Sequence, residues 1–204
     1  LNAAIKADLI IYTGVYRNSP RLFNGEWTDT WYSSCGVANT TTYNIMYNKM
    51  LNSVYTNGGF WIQRYEDGTV SITCANAQTK ASGYAPDEEK TSSLLFGIQW
   101  DLVCRYLDGK DGLTTAMINS DSSSWGNYNN NSLTAKSNET KKMNIYDFAG
   151  NLYEWTLEKA AGSPYLWACR GGNCTGAGSS YPASYRGTDS SNGSAFISFR
   201  ATFY

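Results

Sequence analysis

The groups in this sequence that could do chemistry are thiols, carboxylates, guanidiniums and phenols. Histidine is absent, which removes the commonest general base and the commonest metal ligand together. The cysteines stand at 35, 74, 104, 169 and 174. Their odd number and their spacing fit neither a disulfide framework nor a zinc signature, so all five are expected as thiols. Cys104, set among apolar residues, is expected to be a small buried hydrophobe. A different chemistry, contact without reaction, is written into the C-terminal end. The 45 residues from Ala160 to Tyr204 contain no Lys, Glu, Gln or Met. The 159 residues before them contain 23, a rate at which roughly six would be expected in the tail. What remains there is rich in Tyr, Ser, Gly and Asn, the residues of antibody paratopes.

Composition bounds the partners. With 16 basic and 17 acidic residues there is no electrostatic footprint for nucleic acid. No run of 18 apolar residues occurs, so membrane insertion is not expected. No signal peptide is visible, and a start at Leu1 without Met suggests a piece of something longer. A length of 204 residues suits one domain, or one domain with an N-terminal extension.

Few elements are strongly patterned. Leu9–Tyr12 could be a strand, and 18–39 is loop-like. Tyr43, Met46, Tyr47, Met50, Leu51 and Val54 form one face of a helix of about four turns, with a cap among Thr40–Thr42 and a stop at Gly58-Gly59. Phe60, Ile62 and Tyr65 read as a strand, and Ile72–Ser82 as a strand end and a short helix. Pro86–Glu89 reads as a turn. The stretch SLLFGIQWDLVCRYL reads as a second helix with Ile98, Leu102, Val103, Tyr106 and Leu107 on one face. A long polar region covers 108–142. Alternation of Phe196, Ser198 and Arg200 against Ile197, Phe199 and Ala201 marks a terminal strand. Trp100, Tyr153 and Trp155 are expected in the core. Short strands, few helices and long loops indicate an irregular α+β domain.

Three stretches occur in order: GFWIQRYE, IYDFAGNLYEWTLE, and RGG with PASYRG and ISFR after it. Together they resemble the formylglycine-generating-enzyme (sulfatase-modifying factor) type of C-type-lectin-like fold. SLLFGIQWDLVCRYL stands where that family has its Glu-Trp-containing helix. The resemblance covers residues 43–204 and implies a ligand-binding domain there, with 1–42 as an N-terminal extension or the start of the domain. Oxidase members hold copper with two cysteines that both follow the Gly-Gly pair, whereas Cys169 precedes Gly171-Gly172 and Cys174 follows it. A copper-dependent oxidase using Cys169 and Cys174 is therefore the alternative reading; soft thiolates suit Cu(I). The sulfoxide-synthase relatives need iron-binding histidines, which this chain lacks.

Other members are non-enzymes: the variable proteins of diversity-generating retroelements, which are phage-tail or bacterial-surface adhesins. Their C-terminal codons are rewritten at adenines, turning AAY into NNY, which cannot encode Lys, Glu, Gln, Met or Trp. The resemblance thus implies a diversified receptor-binding module, on a virion or a bacterial cell surface, with a variable region at about 160–200. Its partner would be a protein or glycan on a target cell, met by a homo-oligomer in some members. The implied framework is Arg170-Gly171-Gly172, Pro182–Arg186 and Ile197–Arg200. The implied variable, ligand-binding positions are Trp167, Cys169, Asn173, Cys174, Thr175, Ala177, Ser179, Ser180, Tyr181, Thr188, Asp189, Ser190 and Phe196. Trp167, not being an NNY product, would be fixed or outside the targeted stretch. The resemblance also implies a structural Ca2+ loop, with side chains of Asp147 and Glu154 and carbonyls of Gly150 and Leu152 as ligands. No organic cofactor is expected.

Overall fold

Ala3, Ala4, Lys6 and Ala7 favour a helix, and the chain forms α1 (Asn2–Tyr12) there. Leu9–Tyr12 is thus a last helical turn and not a strand, closed by the Thr13 N–H donating to the Leu9 carbonyl at 3.0 Å. The computed structural model describes residues 1–17, 27–85, 89–129, 137–162, 165–190 and 192–204. The turn expected at Pro86–Glu89 lies largely outside them, as do parts of the stretches 18–39 and 108–142.

Helix α2 (Asp29–Ser33) is short. Helix α3 (Thr40–Asn57) is the one the stripe at 43–54 predicts. Its cap lies one residue before the expected threonines: Asn39 Oδ1 accepts from the Thr42 N–H at 2.9 Å. Gly58, at φ 74°, ends it. After strand β1 (Trp61–Ile62) come α4 (Cys74–Ser82), β2 (Ser92–Leu94) and α5 (Gly97–Leu107). Leu94 therefore belongs to a strand, outside the helix. The buried face of α5 is also wider than the expected stripe. Gln99, Trp100, Asp101 and Cys104 are buried in it, while Tyr106 is 47% exposed. The reason is that α5 packs on two sides, and at Gly97 a Cβ would collide with the Glu158 carboxyl group.

Helix α6 (Thr115–Asn119) breaks the polar region, which ends before β3 (Tyr153–Gly162), β4 (Tyr165–Arg170) and β5 (Arg186–Asp189). The terminal segment forms two strands, β6 (Ile197–Phe199) and β7 (Ala201–Phe203), with Arg200 between them. One sheet has the order β5-β4-β3-β6, with β6 parallel to β3 and the other pairs antiparallel. The other has the order β1-β7-β2, all antiparallel. The chain thus crosses from one sheet to the other at Arg200. Both faces of this segment are buried, so Ser198, Arg200 and Thr202 lie inside with their apolar neighbours.

Two apolar clusters fill the interior. One joins α3 and α4 to Trp155, Trp167 and Phe199; the other joins α5 to Trp125, Tyr128 and Phe148. The N-terminal residues enter both, Ile5 in the first and Tyr16 in the second. Cys35 and Cys74 form a disulfide across 39 residues, with Cα atoms 4.6 Å apart. The expectation that all five cysteines remain thiols fails here: the chain between them brings α2 and α4 together, which spacing in sequence does not reveal. Cys104, Cys169 and Cys174 are buried and outside any disulfide.

Candidate ligand-binding surface

Strand β4 delivers the chain into the loop 171–185. Residues Arg170 at the end of β4 and Arg186 at the start of β5 are paired across the ladder. Both are buried. Arg170 reaches Asp101 at 2.7 Å and Glu158 at 2.6 Å; Arg186 reaches the same two carboxylates, each at 2.6 Å. Arg17 adds a third guanidinium, 2.8 Å from Asp101. Burial would raise the Glu158 pKa, but the Arg186 and Arg170 charges overcome it and hold the carboxyl down at about 2. The loop therefore starts and ends on one buried cluster of ion pairs.

The loop backbone is pinned along its length. Gly171 and Gly172 have φ of 87° and 78°, and a Cβ at Gly172 would collide with the Tyr181 carbonyl oxygen. The Tyr128 hydroxyl donates to the Tyr181 carbonyl at 2.7 Å, and the Trp100 indole N–H to the Ala183 carbonyl at 2.9 Å. The Ser184 hydroxyl donates to Asn119 Oδ1 at 2.7 Å, and the Ser122 N–H to the Gly178 carbonyl at 3.2 Å. These contacts tie the loop, including the stretches 170–172 and 182–186 expected as framework, to Trp100, Asn119, Ser122 and Tyr128.

On this frame the expected contact residues divide. Thr175, Ser179 and Ser180 are exposed, and Ala177 and Tyr181 are half-buried on the same loop. The Tyr181 ring meets Tyr185 at 5.0 Å and Tyr153 at 6.1 Å between centroids, edge-on in both cases. Tyr153, expected in the core, and Tyr185, expected as framework, are both half-exposed. Their place at the surface could not be read from sequence, because it depends on pairing that sets the start of β3 beside the end of β4. Phe196, 40% exposed, joins this end: its carbonyl accepts from the Tyr153 N–H at 2.8 Å. Thr188, Asp189 and Ser190 are half-buried and stand elsewhere. Asp189 is paired with Trp167, three residues up β4 from Arg170, or about 10 Å.

Four expected contact residues lie inside. Trp167 is fully buried, its ring 4.6 Å from that of Trp27, and its N–H donates to the Ser34 hydroxyl at 2.8 Å. Truncating such a side chain costs about 3–5 kcal/mol, too much for a freely varied position. Cys169 belongs to the same core cluster. Asn173 is buried because its Oδ1 closes the turn, accepting from the Thr175 N–H at 3.1 Å and hydroxyl at 2.9 Å. Cys174 is 5% exposed, and its N–H donates to the Asn151 carbonyl at 2.9 Å. Burial pushes the Cys174 thiol up, away from the thiolate that Cu(I) needs. Cys169, in the apolar core, and Cys174, in the loop, are both buried and outside any disulfide.

In the expected calcium loop both carboxylates have partners within the protein. Asp147 Oδ1 accepts from the Thr140 hydroxyl at 2.7 Å. At the two positions expected to give carbonyls, it is the N–H groups that have these bonds: Gly150 to the Gly171 carbonyl at 2.7 Å and Leu152 to Glu66 Oε1 at 3.4 Å. Glu154, at the fourth position, is 2.8 Å from Arg200 Nη2. The same guanidinium donates to the carbonyls of Tyr146, Gln63 and Arg64, each at 2.9 Å. Burial raises the Glu154 pKa while the Arg200 charge lowers it; Glu66 is raised further, by burial and then by the Glu154 charge. A divalent ion on Glu154 would sit against a fixed guanidinium. Glu154 is thereby committed to an ion pair within the protein, and among the described residues no group of three Asp, Glu, Cys or His side chains suited to a metal is found.

No protein family matches the chain. No curated relative matches it either. Among solved structures it is similar to Treponema denticola variable protein 1, with 16% identity and a TM-score of 0.45 over 94% of this chain and 80% of that one. It is also similar to CarF, with 16% identity and a TM-score of 0.46 over 84% of this chain and 64% of that one.

Proposed function

We propose that this chain is a non-enzymatic ligand-binding module whose C-terminal loops present a changeable face on a fixed frame. One observation carries the reading. Thr175, Ala177, Ser179, Ser180 and Tyr181 project from a loop whose backbone is held by glycines, buried arginines and hydrogen bonds from 119–128. Side chains on such a loop can be exchanged without disturbing the interior. Tyr153, Tyr181 and Tyr185 supply rigid aromatic contact area, and the serines and threonine supply adaptable hydrogen bonds. The contact face comprises 175–181 with Phe196, and Thr188–Ser190 forms a flank at the edge strand β5. Asn173 and Cys174 anchor the loop from inside, and Trp167 and Cys169 stay in the apolar core.

The partner under this reading is a protein or glycan on a target cell surface. Display on a phage tail or a bacterial surface multiplies weak single contacts through avidity. Arg200 does the bracing work that a structural cation would do.

Sequencing codons 160–204 across a propagated population, together with a search of the same DNA for a near-copy, tests the proposal. Substitutions should gather at 175, 177, 179–181, 188–190 and 196, and spare 167, 169, 170–172, 182–186 and 197–200. An invariant segment with no near-copy would remove diversification. Substitutions spread equally over buried and exposed positions would remove the frame-and-face division.

A further inference from the structure

A second site lies apart from that face. A cleft of about 730 Å3 opens between the C-terminal ends of α1 and α3, strand β1 and the outer side of α5. It shares no residue with the loops at 170–196. This volume is in the range of small-molecule sites. Three aromatic side chains stand at it with large exposure: Trp61 at 80%, Tyr12 at 57% and Tyr106 at 47%. Large exposed rings gathered on one concavity are unusual for surface left to water. Val103 and Ile145, both buried, supply apolar contacts in its lining.

Its charge is one-sided. Arg64, Arg105 and Lys110 line the cleft, and no Asp or Glu does, in a chain whose net charge is −1. Lys110 Nζ is held 4.6 Å from the Tyr106 ring centroid, and the Arg105 guanidinium 5.0 Å from that of Tyr12. The nearest carboxylates are partly engaged. Asp108 meets Arg105 at 3.5 Å and accepts from the Tyr16 and Thr115 hydroxyls at 2.7 Å; Asp111 accepts from the Met143 N–H at 2.6 Å. Among the described residues, Arg64 and Lys110 make no ion pair. Exposed rings, buried apolar walls and three cations on one concavity suit a ligand that is apolar at one end and negative at the other. We propose that this cleft binds an amphipathic organic anion, an acyl or aryl body carrying a carboxylate.

Calorimetric titration of the whole chain with decanoate, decanol and decylammonium tests this. Decanoate should bind saturably at one site, with decanol about tenfold weaker or more, a difference of 1.4 kcal/mol, and with no saturable decylammonium binding. Lys110→Gln should weaken decanoate about fivefold and leave decanol unchanged, since it removes the charge alone. Trp61→Ala should weaken both; Trp61 is mostly exposed, and an unchanged melting temperature checks the fold. Absence of saturable decanoate binding overturns the proposal. So does decylammonium binding as tight as decanoate, or decanoate binding that neither variant weakens. None of these outcomes touches the 175–181 face, so the two readings stand or fall separately.

Discussion

Glu158 shows how much one side chain can hold. Its two oxygens take Arg170 and Arg186, and its carboxyl group sits against Gly97. Glu158→Gln would leave two buried guanidiniums short of charge, a loss of about 3–5 kcal/mol at neutral pH. The acid response follows from the sign of the shift. The folded carboxyl titrates at about 2 against an ordinary 4.5, so its stabilisation is complete above 4.5 and disappears as pH falls toward 2. Urea unfolding of wild type and Glu158→Gln at pH 7 and pH 3 should show the gap between them narrowing at pH 3. An unchanged gap would mean that Glu158 is not held down in the folded state. None of this was visible in the sequence, where Glu158 is simply the last residue of the motif at 145–158.

Among the elements, legibility followed periodicity. Helix α3 could be read because one face is apolar and the other is not. Strand β4 could not: five of its six residues are buried, so no alternation marks which side of Trp167 or Cys169 faces out. The resemblance then put both among the contact positions, with Trp167 as one that would be fixed or outside the targeted stretch. Helix α1 was obscured by its apolar last turn, where Ile10, Ile11 and Tyr12 are all exposed. The Cys35–Cys74 link belongs to this scale too, since it ties the end of α2 to the start of α4. Closing a loop of that length is worth about 2–4 kcal/mol. Guanidinium unfolding with and without reductant should show a shift of that size, and Cys35→Ser/Cys74→Ser should behave like the reduced protein. No difference between the oxidised and reduced forms would contradict the pairing.

For the molecule as a whole, Arg200 is the point where the two sheets and the 147–154 loop meet. Its guanidinium joins Glu154 to the carbonyls of Gln63, Arg64 and Tyr146. The α+β class and the terminal strand segment could be read in advance; the part Arg200 plays in joining both sheets to the 147–154 loop could not, because ISFR gives no sign of where its last side chain goes. Thermal unfolding should give the same midpoint in calcium and in EDTA. A midpoint raised by calcium would show a site that binds the folded state, by mass action.

Strands β6 and β7 follow the segment proposed to vary, yet they complete both sheets: β6 pairs with β3, and β7 lies between β1 and β2. An insertion, deletion or stop codon anywhere in 173–196 that shifts or ends the reading frame therefore erases a central strand of one sheet, an edge of the other and Arg200 with them. Such a product cannot close its core, and exposed strand edges mark it for aggregation or proteolysis. Placed downstream of the codons proposed to be rewritten, these few residues would act as a proofreading tag. Under that proposal, only copies whose frame is intact would reach the folded state.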